Sequence, residues 1–253
     1  MSAHPLRDTA VLTGRSLTHI VRSPDTIITT AVMPIAFLLL FVFVLGGAID
    51  TGATPYVDYL LPGILLITVA SGVAYTSYRL FLDLQSGIDE RFRSMPIARP
   101  AVLWAHVLTS LVANLVSLVV VVAAALLMGF RSPAGVGEWL AVLGILVLFT
   151  LALTWVAIIA GLSASSVDGA SAFSYPLILL PFISSAFVPT ETMPAPVRWF
   201  AEHQPVTPLV DSLRALLGGR SPDSDLWVAV AWCAGILVVA VVSAVLLHRR
   251  RTG

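Results

Sequence analysis

Few residues in this chain could do chemistry. His4, His19, His106, His203 and His248 are scattered, with no HExxH or comparable zinc spacing, so no metal site is expected. Gly161-Leu-Ser163-Ala-Ser165 looks like a nucleophile run, but a serine nucleophile needs a base at its own depth. The nearest candidate, His248, stands beside Arg249, Arg250 and Arg251 at a water boundary, and small residues closing a helix explain the run better. Lysine is absent, so a phosphate loop of the form GxxxxGK[ST] cannot be built and ATP is not hydrolysed that way on this chain. The lone Cys233 lies in an apolar run and excludes an internal disulfide. With catalysis this poorly provided for, binding and transmission remain. Their main candidate is SGIDERFRSMPIARP at 86–100, which gathers Asp89, Glu90, Arg91, Arg93 and Arg99 in a chain only 11% charged.

Within that stretch Ile88, Phe92 and Met95 recur at i, i+4 and i+7, an apolar stripe on a short helix. Asp89 and Arg93 are i, i+4 partners on another face. Gly87 begins the piece, Pro96 ends it, and Pro100 suits the first turn of the next helix. An apolar stripe flanked by both signs of charge suits docking into a groove of a soluble partner. A short helix packed on the chain's own membrane end is the alternative. A second set of candidates is polar and lies inside apolar runs. Thr68, Ser71, Tyr75 and Tyr78 fall at i, i+3, i+7 and i+10, on one helical face, and Ser110, Asn114 and Ser117 do the same. An Asn in hydrocarbon must face protein or a wet cavity. These faces line a translocation path or, residue by residue, join helices through hydrogen bonds. No chain of ionisable groups occurs in the runs, which argues against a proton-coupled carrier.

The elements that must position these residues are membrane helices. The chain is 58% hydrophobic with a mean hydropathy of +0.94, far from the roughly 25% charged composition of soluble domains. Fourteen arginines against fourteen acids give no sign of a nucleic-acid partner, and none is expected. A hydrocarbon core about 30 Å thick needs roughly 20 apolar residues of helix. Six segments approach this: Ile27–Leu45, Tyr59–Leu82, Ala101–Phe130, Glu138–Leu162, Gly169–Val188 and Leu226–Leu247. Pro34, Pro176 and Pro181 predict kinks in the first and fifth, and the fifth opens on the weakly apolar GASAFSY. The fold class expected is therefore an all-α integral membrane protein of one domain, 1–253, with six transmembrane helices.

Arginine placement orients it. Arg7, Arg15, Arg22, Arg79, Arg91, Arg93, Arg99, Arg249, Arg250 and Arg251 lie inside if the amino terminus is cytoplasmic, against Arg131, Arg198, Arg214 and Arg220 outside. Both termini are then cytoplasmic, and so is the loop 83–100. Residues 1–24 show no removable signal peptide. Leu6, Ala10, Leu17, Ile20 and Val21 instead share one face, predicting an amphipathic helix on the inner surface of the bilayer or on the protein's own cytoplasmic face. In 189–225, Pro189, Pro194, Pro196, Pro205 and Pro208 rule out one continuous helix. Two short helices, about 195–203 and 206–217, fit a re-entrant hairpin ended by Gly218-Gly219, with a plain surface loop as the alternative.

IDERFRSMPIAR after the second span, with FVPTETMP and WFAEHQPVTPLVDSLRALLGG before the last, resembles the permease subunits of type-2 ABC exporters. The likeness is greatest to the branch typified by the daunorubicin-resistance permeases, and it runs over nearly the whole chain. The resemblance implies a bacterial plasma-membrane permease that pairs with a second permease, identical or related. It also implies a soluble ATP-binding subunit that carries ATP and Mg, with no cofactor on this chain. The helix around Glu90–Met95 would be the coupling helix, and an amphipathic substrate (drug, lipid or glycolipid) would pass along helices two and five, near Tyr75, Tyr78 and Ser174. An ion-coupled secondary carrier and a membrane scaffold without a path are the rival classes. No internal repeat supports the first, and only the polar faces argue against the second.

Overall fold

Apolar runs this long have to satisfy their backbone internally, and the described residues accordingly contain helices and no strand. The computed structural model describes residues 24–46, 55–86 and 99–252. The elements are α1 (Pro24–Leu39), α2 (Tyr56–Gln85), α3 (Arg99–Leu127), α4 (Val136–Ser163), α5 (Val167–Ala172), α6 (Ser174–Leu179), α7 (Ala195–His203), α8 (Val206–Leu217) and α9 (Asp225–Thr252). Four stretches are long and apolar enough to cross a membrane: Tyr56–Gln85, Leu103–Leu127, Val136–Ser163 and Asp225–Leu247.

The other two apolar segments are shorter, Ala31–Val44 and Val167–Ile183. Prolines explain the difference. Pro34 removes one hydrogen bond inside α1, and the chain continues from Leu40 to Leu45 as a widened π turn. The segment expected as one span over Gly169–Val188 is interrupted at Phe173, resumes as α6 with Pro176, and tightens to a 3₁₀ turn over Leu180–Ile183 around Pro181. Its start is fixed by Ser166, whose hydroxyl accepts from the Gly169 N–H at 3.0 Å.

The two short helices expected near 195–203 and 206–217 occur as α7 and α8 with those bounds. α8 ends where the sequence breaks it: Gly219 has φ +65, and Arg220 N–H reaches back to the Ala215 carbonyl at 2.9 Å. α3 stops in the same way, with Gly129 at φ +103 and Phe130 N–H on the Ala125 carbonyl at 2.9 Å.

α2 is the hub. It packs against α1, α3, α4, α5, α6 and α8, and 72% of its most apolar window is buried, against 17% for α9, which leans on α4 and α8. Small residues allow these close approaches. A Cβ added at Gly63 would meet the Ala186 Cβ at 2.6 Å, and one added at Gly72 would collide with the Asn114 amide. Near the Tyr56 end, Phe41 and Phe182 both stack on Phe187, with centroids 4.7 Å for Phe41–Phe187 and 4.8 Å for Phe182–Phe187, locking α1 to the segment after α6.

Candidate functional site

In the charged stretch that the sequence singles out, Ile88, Asp89, Glu90, Arg91, Phe92, Arg93 and Met95 lie outside the described residues, as does the amphipathic segment over 1–23. What can be described is how its flanks are held. α2 ends at Gln85, and the Ser86 hydroxyl donates to the Asp83 carbonyl at 3.0 Å. Across the gap, His106 on α3 places Nε2 3.3 Å from Asp83 Oδ2. The helices entering and leaving the charged stretch are thus joined by a side-chain pair one turn from the end of α2.

Further into the bundle, the polar faces of α2 and α3 form a knot. Thr76 donates to the Ser110 hydroxyl at 2.8 Å, and Ser110 meets the Thr154 hydroxyl of α4 at 3.1 Å. Asn114 Nδ2 donates to the Ser110 carbonyl at 2.9 Å, its amide packed against Gly72. All four side chains are buried, so three helices are tied by hydrogen bonds in an apolar setting where water does not compete. Gly72, Thr76 and Thr154 were not among the residues expected from sequence. An i, i+4 pair of small residues at 72 and 76 facing the i, i+4 pair at 110 and 114 was the signal available.

The other candidate positions are held separately. Thr68 is buried and donates to the Ile64 carbonyl at 2.7 Å, and Ser71 is partly buried. The rings of Tyr75 and Tyr78 are partly exposed with centroids 6.1 Å apart, and the Arg79 guanidinium lies 5.8 Å from the Tyr75 ring. Ser174, at the start of α6, donates to the Ser171 carbonyl at 2.7 Å. α5 and α6 both pack on α2.

At the Tyr56 end sits a cluster that sequence reasoning missed. Arg214 on α8 donates Nη1 to Asp211 at 2.7 Å and Nη2 to the carbonyls of Ser185 at 2.7 Å and Tyr59 at 3.2 Å. Its guanidinium also lies 3.9 Å from the Tyr59 ring centroid. Ser185 returns a hydroxyl to Asp211 at 2.7 Å, and the Tyr59 hydroxyl donates to the Ser185 carbonyl at 3.0 Å. Burial pushes the Asp211 carboxyl up and the Arg214 guanidinium down, while the Ser185 hydroxyl and the opposite charge of Arg214 draw Asp211 back toward its ionised form. Gln204, between α7 and α8, adds a bond to the Ile183 carbonyl at 2.6 Å. The signal was an i, i+3 pair of opposite charges in a helix whose other face is Leu209, Leu213 and Leu216.

Chemically, this arrangement positions and transmits. Among the described residues no three His, Cys, Asp or Glu side chains gather as a metal site.

The sequence pattern of the ABC-2 type transporter family matches residues 7–217. The chain is 30% identical over 258 residues to the daunorubicin resistance ABC transporter permease protein DrrB1 of Streptomyces coeruleorubidus, covering 98% of this chain and 89% of that protein. It is 25% identical over 247 residues to the probable doxorubicin resistance ABC transporter permease protein DrrC of Mycobacterium tuberculosis, covering 96% of this chain and 88% of that one.

Proposed function

The chain belongs to the ABC-2 type transporter family, and from that premise we propose that it is the membrane-spanning half of an ATP-driven exporter for amphipathic or hydrophobic compounds. Two such permeases, identical or related, enclose the path. A separate soluble subunit binds ATP and Mg and supplies the work. The names of the relatives, resistance permeases for daunorubicin and doxorubicin, support an amphipathic aromatic cargo.

In this reading the four long helices, with the proline-broken segments Ala31–Val44 and Val167–Ile183, give six crossings, and α7 with α8 is a hairpin that dips into the outer leaflet. Both termini are cytoplasmic, following the arginine bias. The charged helix Ile88–Met95 docks on the ATPase, through Glu90 and Arg93 at its polar faces and Phe92 in its stripe. ATPase closure moves this helix, and bistable packing between the two permeases turns the motion into opening on the far side. Cargo contacts fall to Tyr75, Tyr78 and Ser174, with Thr68 and Ser71 on α2 beside the tyrosines and Asn114 on α3 fastening the helices next to the path.

The observation that carries the reading is the construction of α2. One helix meets six others, is bonded to α3 at Asp83 beside the charged stretch, and is bonded to α8 at its far end through Tyr59. A displacement at one end therefore has a stiff route to the other. The test is purification from the native membrane. A soluble protein containing GxxxxGK[ST] is expected to come down with the chain, and vesicles holding both are expected to transport only with ATP. Solute pumping by the chain alone on an ion gradient would overturn the proposal.

A further inference from the structure

Between α3 and α4 lies an open apolar groove of about 940 Å³ that the transport reading does not use. It runs from Leu115 to Leu126 on α3 and from Val136 to Leu146 on α4, with Trp139 in its wall. At 1.5 Å per residue these stretches are about 15–17 Å long, the hydrocarbon depth of one leaflet of a roughly 30 Å core. A trough of that length, lined by aliphatic side chains and opening sideways from two membrane-spanning helices, matches acyl chains rather than a globular partner.

Its rim carries both signs of charge. Arg131 spends Nη1 on the Phe130 carbonyl at 2.8 Å and the Leu126 carbonyl at 3.1 Å, which holds the guanidinium over a wall residue of the groove. The Glu138 carboxylate folds back over Gly135, another wall residue, where an added Cβ would meet Oε2 at 2.9 Å. Neither Arg131 nor Glu138 has an ion-pair partner among the described residues. Asp58 is the further acid nearby, and it faces the Arg131 backbone N–H.

We infer that the α3–α4 groove is a phospholipid site selective for a zwitterionic head group with a primary amine. The acyl chains lie between the helices, the phosphate meets Arg131 and the ammonium meets Glu138. The rim decides among head groups. A guanidinium donates to any phosphate, so Arg131 alone does not discriminate. Glu138 accepts hydrogen bonds from a primary ammonium, which a quaternary choline lacks, and it repels an anionic glycerol or diphosphatidyl head group. Trp139 follows Glu138 directly at the mouth of the groove, where an indole straddles the hydrocarbon boundary. The inference takes from the family only that the chain lies in a bilayer, so failure of the export assignment leaves it standing.

The experiment is quenching of Trp139 by bromine on lipid acyl chains, in vesicles of phosphatidylcholine containing a minor brominated component. The Trp139 signal is the difference between the wild-type chain and Trp139→Phe. Brominated phosphatidylethanolamine is expected to quench that signal about two- to fivefold more effectively than brominated phosphatidylcholine or phosphatidylglycerol, the ratio that solvent-near ion pairs supply. Glu138→Gln is expected to remove the preference over phosphatidylcholine, and Arg131→Gln to weaken quenching by all three. Ala123→Phe, which fills the groove, is expected to lower quenching without changing the order. Arg131 is exposed and Glu138 partly exposed, so both charge variants are expected to leave the fold intact. Equal quenching by all three lipids would reduce the groove to ordinary annular contact and overturn the inference. Strongest quenching by phosphatidylglycerol would overturn it in favour of a simple cationic site. A Trp139 signal that no lipid quenches would mean that another protein surface covers the groove, and would overturn it equally.

Discussion

Arg214 lies over the Tyr59 ring, its Cζ 3.9 Å from the centroid, while the same guanidinium donates to the Tyr59 carbonyl at 3.2 Å. One arginine thereby holds both the side chain and the backbone of a residue 155 positions earlier in the chain. Through Ser185 and Asp211 it joins three segments that meet at the Tyr56 end of α2. A contact with a ring face combined with forked donation is guanidinium geometry, which an ammonium cannot copy.

Arg214→Lys is therefore expected to destabilise the purified protein nearly as much as Arg214→Ala. The loss is about 2–3 kcal/mol, at the low end for breaking a buried pair because Asp211 keeps its side chain 33% exposed. Replacing the pair together, Arg214→Met with Asp211→Leu, is expected to recover most of it, since no charge is then left without its partner. Thermal unfolding in detergent reads all three. A lysine variant as stable as wild type would show that charge alone, without the fork and the stack, holds this end.

Gly72 and Asn114 make the second prediction. A methyl at Gly72 collides with the Asn114 amide, whose Nδ2 is fixed on the Ser110 carbonyl at 2.9 Å. Gly72→Ala is expected to cost about 1–3 kcal/mol by overpacking. Combined with Asn114→Ala it is expected to cost less than the sum of the two single losses, because the second substitution empties the space the first one fills. Additive losses would mean that α2 and α3 do not touch at this point.

Proline and apolar length made much of this fold legible. The bounds of α7 and α8 follow from Pro194, Pro196, Pro205 and Pro208 with Gly218-Gly219, because each residue restricts φ or removes a donor in a way that depends on no distant partner. The four long helices follow from runs of apolar side chains, and their ends overshoot those runs because a helix continues while its backbone bonds are made, save that α3 stops at Leu127, short of Phe130, before Gly129. α2 thus begins at Tyr56 and ends at Gln85, beyond the apolar run Tyr59–Leu82. What was not legible is tertiary. Arg214 counted only as one more charge toward orientation, because its partners are backbone carbonyls of Tyr59 and Ser185, and a carbonyl has no identity in a sequence. Gly72 and Thr76 escaped notice because a glycine or threonine in a helix is meaningful only once the facing helix is known.

Coupling to the ATPase makes the third prediction. Glu90→Ala with Arg93→Ala is expected to lower ATPase co-purification and transport together by about tenfold or more, as removal of anchors from a helix-in-groove contact does. His106→Ala, which breaks the 3.3 Å contact with Asp83, is expected to leave ATPase binding intact while lowering transport per ATP hydrolysed. The contact lies behind the docking segment, between the two helices that must move with it. If the double variant recruits the ATPase and transports as the wild type does, the docking assignment fails.

The last prediction separates lining from packing. Tyr75 and Tyr78 are partly exposed with their rings 6.1 Å apart, whereas Thr76, Ser110 and Thr154 are buried and bonded to one another at 2.8 Å and 3.1 Å. A cargo that travels along α2 meets the tyrosines and never reaches the knot. Tyr75→Ala and Tyr78→Ala are expected to raise the transport KM for a flat aromatic cargo, each by about two- to tenfold. That is the worth of one aromatic contact, with unfolding temperature little changed. Ser110→Ala is expected to do the opposite. It strips a partner from Thr76 and Thr154 at once, while Asn114 keeps the backbone carbonyl, and costs about 1–3 kcal/mol of stability, because the orphaned hydroxyls remain buried, yet it leaves the ranking of substrates unaltered. Vesicles containing the chain with its ATPase, assayed against several cargoes, give both readouts from one preparation. A changed substrate ranking in Ser110→Ala would put the path through the knot itself and make Asn114 a contact rather than a fastening between helices.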